Sequence, residues 1–94
     1  MVKKIIKFSA TWCAPCRFYA ETFHKVENKE EFKDIEFKEL DIENDDAEIL
    51  VQKYGIRNVP TTLILNENDE LIYKLIGNIK ESDLVDAIND AINK

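Results

Sequence analysis

Two cysteines and one histidine are all the thiol and imidazole ligands this sequence carries. A structural zinc site needs four ligands, so it would have to recruit carboxylates, and no metal is expected. Only two glycines and two prolines occur in 94 residues, which excludes a flexible, Pro-rich or low-complexity chain. Apolar runs are short, far below the ~20 residues of a membrane span. Positive charge is also scarce: 13 Lys and Arg against 19 Asp and Glu leave a net charge of −6. That balance argues against nonspecific nucleic-acid or anionic-membrane binding, both of which want a basic face. Lys3 and Lys4 open the chain as a signal peptide might, but Lys7 interrupts the apolar segment and no cleavage pattern follows. The expectation is a cytoplasmic protein whose thiols are kept reduced.

What is present describes one ordered domain spanning residues 1–94. Apolar residues make up 45% of the chain, enough for a single core at this length. Lys3–Phe8 reads as a strand. Pro15 suits the first turn of a helix, where its missing N–H is no loss, and Tyr19, Phe23 and Val26 then recur on one helical face. Ile35–Ile42 reads as a second strand, with Ile35, Phe37 and Glu39 on one face and Leu40 and Ile42 on the other. Asn44 is placed to cap a second helix that buries Ala47, Leu50, Val51 and Tyr54 and stops at Gly55. Thr61–Leu65 and Glu70–Ile76 flank turn residues and form an antiparallel hairpin. Ser82 or a neighbour opens a last helix that buries Leu84, Val85, Ile88, Ala91 and Ile92. The order βαβαββα predicts an α/β fold: parallel crossovers closed by an antiparallel hairpin, giving a four-stranded mixed sheet flanked by three helices.

Both cysteines lie in "IIKFSATWCAPC", two residues apart, between the first strand and the first helix. Beyond metal binding, three readings compete. A purely structural disulfide closing so short a loop removes little entropy from the unfolded chain. Two buried, inert cysteines are the blandest reading, but a strand-to-helix turn is where thiols are exposed and activated. Thiol–disulfide exchange fits that position. A cysteine at a helix N-terminus faces unpaired backbone N–H groups and the positive end of the helix dipole, which favour the nucleophilic thiolate. Cys13 is expected exposed at the cap and Cys16 shielded one turn in, within reach of a mixed disulfide formed by Cys13. His24 falls on the first helix off the apolar stripe and is expected to be solvated.

"FSATWCAPCR" resembles the active-site segment of the thioredoxin family, with Ala14 in place of the usual glycine. "YGIRNVPT", Tyr54–Thr61, resembles the family's second signature, and Ile76-Gly77 the third wall of its substrate groove. A typical member has a further strand and helix before the first strand read here, so the chain is nearer the minimal fold shared with glutaredoxins. The resemblance implies the thioredoxin fold, with Cys13 as nucleophile and Cys16 as resolving thiol. It also implies a cis peptide bond at Pro60, backbone hydrogen bonds from Val59 to an extended substrate, and Trp12, Ala14, Pro15 and Gly77 around that substrate. No cofactor beyond the Cys13–Cys16 disulfide is implied. Ala14-Pro15 adds no cation between the cysteines, unlike the histidine of oxidising relatives, so a reducing couple is expected, on the order of −270 mV rather than about −120 mV.

The chain departs from the family where a buried aspartate and its lysine partner should stand. Six residues before Cys13 lies Lys7, and the facing strand carries Glu39, so the two charges are exchanged. The expectation is a reversed pair beneath the cysteines: pairing offsets the cost of a buried lysine, Glu39 takes the Cys16 proton and Lys7 lowers the thiol pKa values. The bland alternative is that Lys7 snorkels outward while Glu39 solvates its strand. Arg17 replaces a common lysine and keeps a positive charge beside the cysteines.

The resulting expectation is a monomeric dithiol–disulfide oxidoreductase serving electron transport and cell redox homeostasis. It would reduce protein disulfides and be recharged by a thioredoxin reductase. Two alternatives stay open: a glutaredoxin-like protein recharged by glutathione, and a thioredoxin-like module that binds a partner protein with incidental redox activity.

Overall fold

In a computed structural model describing residues 1–94, Val2–Ser9 form strand β1 at the centre of the sheet. Its alternation is blurred because both of its faces are covered: Ile5 points into one apolar cluster, Ile6 and Phe8 into another. Thr61–Asn66, strand β3, is its equally buried central neighbour, and such strands read as continuous apolar runs. The edges are β2, Glu36–Asp41, which exposes Glu36, Lys38 and Glu39, and β4, Leu71–Ile76, which exposes Leu71, Lys74 and Ile76.

The spatial order is β2-β1-β3-β4. Parallel pairing is confined to β1 and β2, where Lys7 stands opposite Glu39; β3 runs antiparallel to both β1 and β4. The path from β2 through helix α2, Asp45–Lys53, therefore ends in a reversed strand rather than a second parallel one. Helices α1, Ala14–Glu27, and α3, Glu81–Ile92, cover one face. Tyr19, Phe23 and Val26 meet Leu84, Ile88 and Ala91 there, over Ile5 and Ile64. Helix α2 covers the other face, packing Ala47 against Ile6, Phe8, Leu63 and Leu65. Sheet and helices thus build the thioredoxin fold.

Local differences from the sequence reading have local causes. A single 3-10 turn at Glu30–Phe32 interrupts the connection to β2 and inserts Phe32 into the α1/α3 core, which no periodicity in three residues could signal. Asn44 stands at the start of α2, but its side chain makes no capping hydrogen bond. Ile92 closes α3 exposed rather than buried, one position beyond the Leu84–Ile88–Ala91 stripe. The stop at Gly55 has a full physical account. At φ +63° it takes the left-handed conformation, its N–H reaches Gln52 O (3.4 Å), and the Ile56 N–H reaches Val51 O (2.9 Å). That paired closure of helix carbonyls is the Schellman motif. Lys74 Nζ satisfies two more, donating to Tyr54 O (3.0 Å) and Gly55 O (2.9 Å). The turn after α2, and with it the segment Arg57–Pro60, is fixed from both sides.

Candidate active site

Helix α1 begins at the cysteines for reasons visible in the backbone. Cys13 is its N-cap, in extended conformation, and Pro15 occupies the first turn. The Cys13 N–H is bound to Ala10 O at 3.1 Å, which turns the chain out of β1. The Cys16 N–H, one of the donors a helix start leaves unpaired, points at Cys13 Sγ at 3.2 Å. The first turn contains no acidic side chain to offset the positive end of the dipole, and His24 and Lys25 sit at the opposite end. Cys13 Sγ therefore faces an N–H donor and a partial positive charge, both of which stabilise a thiolate.

The two cysteines form a disulfide, with Cα atoms 5.3 Å apart. Both are 4% exposed, so the expectation of an exposed Cys13 fails. Ile42 and Val59 pack against the small cluster of Ala10, Cys13 and Cys16, and Cys13 Sγ lies 3.7 Å from Val59 O. Trp12, in contrast, is 65% exposed beside this covered disulfide. The Val59–Pro60 peptide bond is cis. Gly77, at φ +100°, donates its N–H to Pro60 O at 2.9 Å and brings the end of β4 against this turn. Cys13 thus meets the turn through Val59, and Gly77 joins it through Pro60. Ala14 and Pro15 are exposed on the helix start. Arg17 folds back on this turn, with Nη2 3.4 Å from Thr11 O.

A second group lies under α1. Lys7 is 3% exposed and its Nζ is 2.6 Å from Glu39 Oε1, while Glu39 keeps 44% side-chain exposure. The Lys7 ammonium also lies 5.4 Å from the centre of the Phe23 ring. The lysine does not snorkel out; the carboxylate comes to it. His24 lies off the buried stripe of α1, as expected, and also has a partner. It is half exposed, yet its Nε2 is 3.0 Å from Glu39 Oε2, so both carboxylate oxygens are engaged. Partial burial alone would raise the Glu39 pKa, but the hydrogen bonds and charges of His24 and Lys7 outweigh it and hold the carboxyl below its ordinary value. On the other side of Lys7 in the sheet stands Thr62, whose hydroxyl is 2.5 Å from the Tyr19 phenol. Burial pushes the Tyr19 pKa up to about 12, with the Thr62 hydrogen bond partly opposing it. Neither His24 nor the Tyr19–Thr62 pair stands out in the sequence, because each contact joins residues on different elements. No three metal-ligating side chains gather anywhere in the chain.

A disulfide at the start of a helix, on this sheet and against a Val–cis-Pro turn, defines a class: thioredoxin-fold proteins with a redox-active cysteine pair. The Thioredoxin family model matches residues 2–90. Thioredoxin H5 of Oryza sativa subsp. japonica is 40% identical over 73 residues, which are 78% of this chain but only 50% of that protein. Thioredoxin Asp f 29 of Aspergillus fumigatus is 31% identical over 71% of this chain and 59% of its own length. This chain therefore matches only about half to three-fifths of those two relatives. Thioredoxin of Ophiophagus hannah is 31% identical over 96% of this chain and 76% of its own. Among solved structures, thioredoxin f from spinach chloroplast superposes with a TM-score of 0.79 at 34% identity, covering 96% of this chain and 77% of that one. The chain belongs to the thioredoxin family.

Proposed function

We propose that this protein reduces disulfides in other proteins by dithiol exchange, with Cys13 as nucleophile and Cys16 as resolving thiol. The observation that carries the reading is the Cys13–Cys16 disulfide at the N-terminus of α1, with the Cys16 N–H directed at Cys13 Sγ. In the reduced protein, the Cys13 thiolate attacks one sulfur of a substrate disulfide. An S–S bond forms to Cys13, the substrate S–S bond breaks, and one substrate sulfur leaves as thiolate. Cys16, after losing its proton, attacks Cys13 Sγ, expels the second substrate thiolate and closes the Cys13–Cys16 disulfide. Two electrons pass to the substrate, and an external dithiol or reductase must return them.

Several residues have supporting roles in this reading. Trp12 offers an exposed apolar shoulder, while Ala14 and Pro15 form the surface of the helix start. Val59, Pro60 and Gly77 form the edge along which an extended substrate segment aligns. The Lys7–Glu39 pair tunes the thiols electrostatically. With both oxygens engaged and its pKa lowered, Glu39 is better suited to hold Lys7 in place than to accept the Cys16 proton at neutral pH.

The electron donor in this reading is a thioredoxin reductase. A thioredoxin f2 that is 31% identical is known in complex with ferredoxin:thioredoxin reductase, and this supports a reductase over glutathione. A monomer acting in the cytoplasm as one domain over residues 1–94 completes the reading; no helix is long and apolar enough to cross a membrane.

The test is turnover of a disulfide-bonded protein with dithiothreitol as the electron source. Cys13→Ser abolishes turnover, and Cys16→Ser accumulates a covalent mixed disulfide detectable by mass. Full turnover by Cys13→Ser would remove the reading.

A further inference from the structure

Two clefts flank the Arg57–Asn58 segment, and their linings differ in chemistry. The first, about 260 Å³, lies between Trp12 and Val59 and is mostly apolar. The second, about 340 Å³, is lined by Gly55, Arg57, Asn58, Thr61, Lys74 and Ile76. Arg57 and Asn58 belong to both. The charged residues of the two linings are Arg57 and Lys74, both cationic, and neither lining contains a carboxylate. This stands against the rest of the chain, in which acidic residues outnumber basic ones by 19 to 13.

The two cations are held differently. Lys74 spends its hydrogen bonds on the carbonyls of Tyr54 and Gly55, so it serves the second cleft as a fixed positive charge at the end of α2. Arg57 is exposed, and no carboxylate of this chain pairs with it. It lies two residues before Val59, whose carbonyl is 3.7 Å from Cys13 Sγ. Arg17 adds a third cation on the Thr11 side of the disulfide, where Glu43, bound by Thr11 Oγ1 at 3.2 Å, is the opposing charge.

We propose that the second cleft is a carboxylate subsite, and that the protein selects disulfides carried on extended segments with an Asp or Glu close to the reacting cysteine. This rests on the disulfide-exchange reading above and names its substrate class. A substrate segment aligned along Val59 puts its sulfur at Cys13 and its apolar neighbours in the cleft beside Trp12. A carboxylate within a few residues of that sulfur then meets the Arg57 guanidinium, which can take it as a two-point fork, with Lys74 adding charge behind. Such rim charges act through encounter rate and orientation more than through tight binding, and salt weakens them. The net negative charge elsewhere repels acidic partners that approach on other faces, which favours the productive orientation.

The test uses three synthetic peptides, each with one intramolecular disulfide and apolar immediate neighbours of the reacting cysteine, identical except that the next residue out on either side is Glu, Gln or Lys. The expected kcat/KM order is Glu, then Gln, then Lys, with about a tenfold spread between the ends at low ionic strength and a narrower one at high salt. Arg57→Gln narrows the spread and Arg57→Glu inverts the order. Equal kcat/KM for the three peptides, or an order unchanged in Arg57→Glu, overturns the subsite while leaving disulfide exchange intact. Failure to reduce any of the three would instead count against disulfide exchange itself, and the subsite would fall with it.

Discussion

Lys7, buried in the central strand, reaches Glu39 on the edge strand at 2.6 Å, and the other oxygen of that carboxylate takes His24 at 3.0 Å. A half-exposed acid therefore anchors an ammonium that has no route to solvent of its own. The pair is exchanged relative to the family pattern, so the charge nearer the sheet centre is positive. A buried cation favours a nearby thiolate, where a buried anion would oppose it.

The first prediction concerns thiol ionisation in the reduced protein. Lys7→Met removes the cation and shifts the pH midpoint of Cys13 alkylation upward. Glu39→Gln leaves Lys7 unneutralised and shifts the midpoint downward. His24→Gln, which removes only the outer partner, moves it less than either. Alkylation rates measured from pH 5 to 10 decide the matter; midpoints that coincide with the parent protein's would show that the pair is purely structural.

The same carboxylate makes stability depend on pH. The Glu39 pKa is held below its ordinary 4.5, so its contribution is present above that value and is lost as pH falls through the lower, folded-state pKa. Urea midpoints measured between pH 6 and 3 should therefore fall less steeply for Glu39→Gln than for the parent protein. At pH 7 the variant is less stable by about 1–2 kcal/mol, below the 3–5 kcal/mol of a fully buried pair because solvent screens a half-exposed carboxylate. Parallel acid profiles for parent and variant would rule out the linkage.

Much of this arrangement can be read from the sequence, and the parts that cannot have a common cause. The order of elements, the cysteine position at the start of α1, and Lys7 opposite Glu39 all follow from short-range pattern plus strand counting. Missing from that reading are contacts set by how elements lie on one another. His24 meets Glu39 only because α1 crosses β2, and Phe32 enters the core through a turn three residues long. The burial of Cys13 depends on Ile42 and Val59, which follow it by 29 and 46 positions. The cationic cleft is equally silent in sequence, since Arg57 and Lys74 are brought together by the end of α2 meeting β4.

Tyr19 and Thr62 supply a prediction at the alkaline end. Their hydroxyls are 2.5 Å apart in the core, and the phenol pKa is pushed up to about 12. A raised folded-state pKa means that the contribution is intact below the unfolded value of 10.0 and is lost as pH rises through about 12. The loss amounts to roughly 2–3 kcal/mol at 1.36 kcal/mol per unit. Tyr19→Phe leaves the buried Thr62 hydroxyl without its partner and costs about 1–2 kcal/mol at pH 7. It also removes this alkaline loss, so the two stability curves, followed by urea unfolding from pH 8 to 11.5, should converge as pH rises. Curves that stay parallel would show that the phenol carries no linkage.

Gly55 connects the fold to the site through a single dihedral angle. At φ +63° an added methyl meets only Lys74 Nζ, at 3.7 Å, so the obstacle to Gly55→Ala is backbone conformation and not space. The left-handed conformation costs a non-glycine residue about 1–2 kcal/mol, which in a domain of this size lowers the melting temperature by roughly 4–15 °C. The chain can escape part of that cost by opening the turn, and doing so releases the Ile56–Val51 and Lys74 hydrogen bonds that hold the next residues. Those residues include Arg57 and Val59, so the variant should lose kcat/KM toward protein disulfides by more than it loses Cys13 reactivity toward a small alkylating agent. Asn in place of Ala tolerates the left-handed region and should recover most of both losses. Equal decline of the two activities would place the effect on the thiol itself, and would separate the turn from substrate alignment.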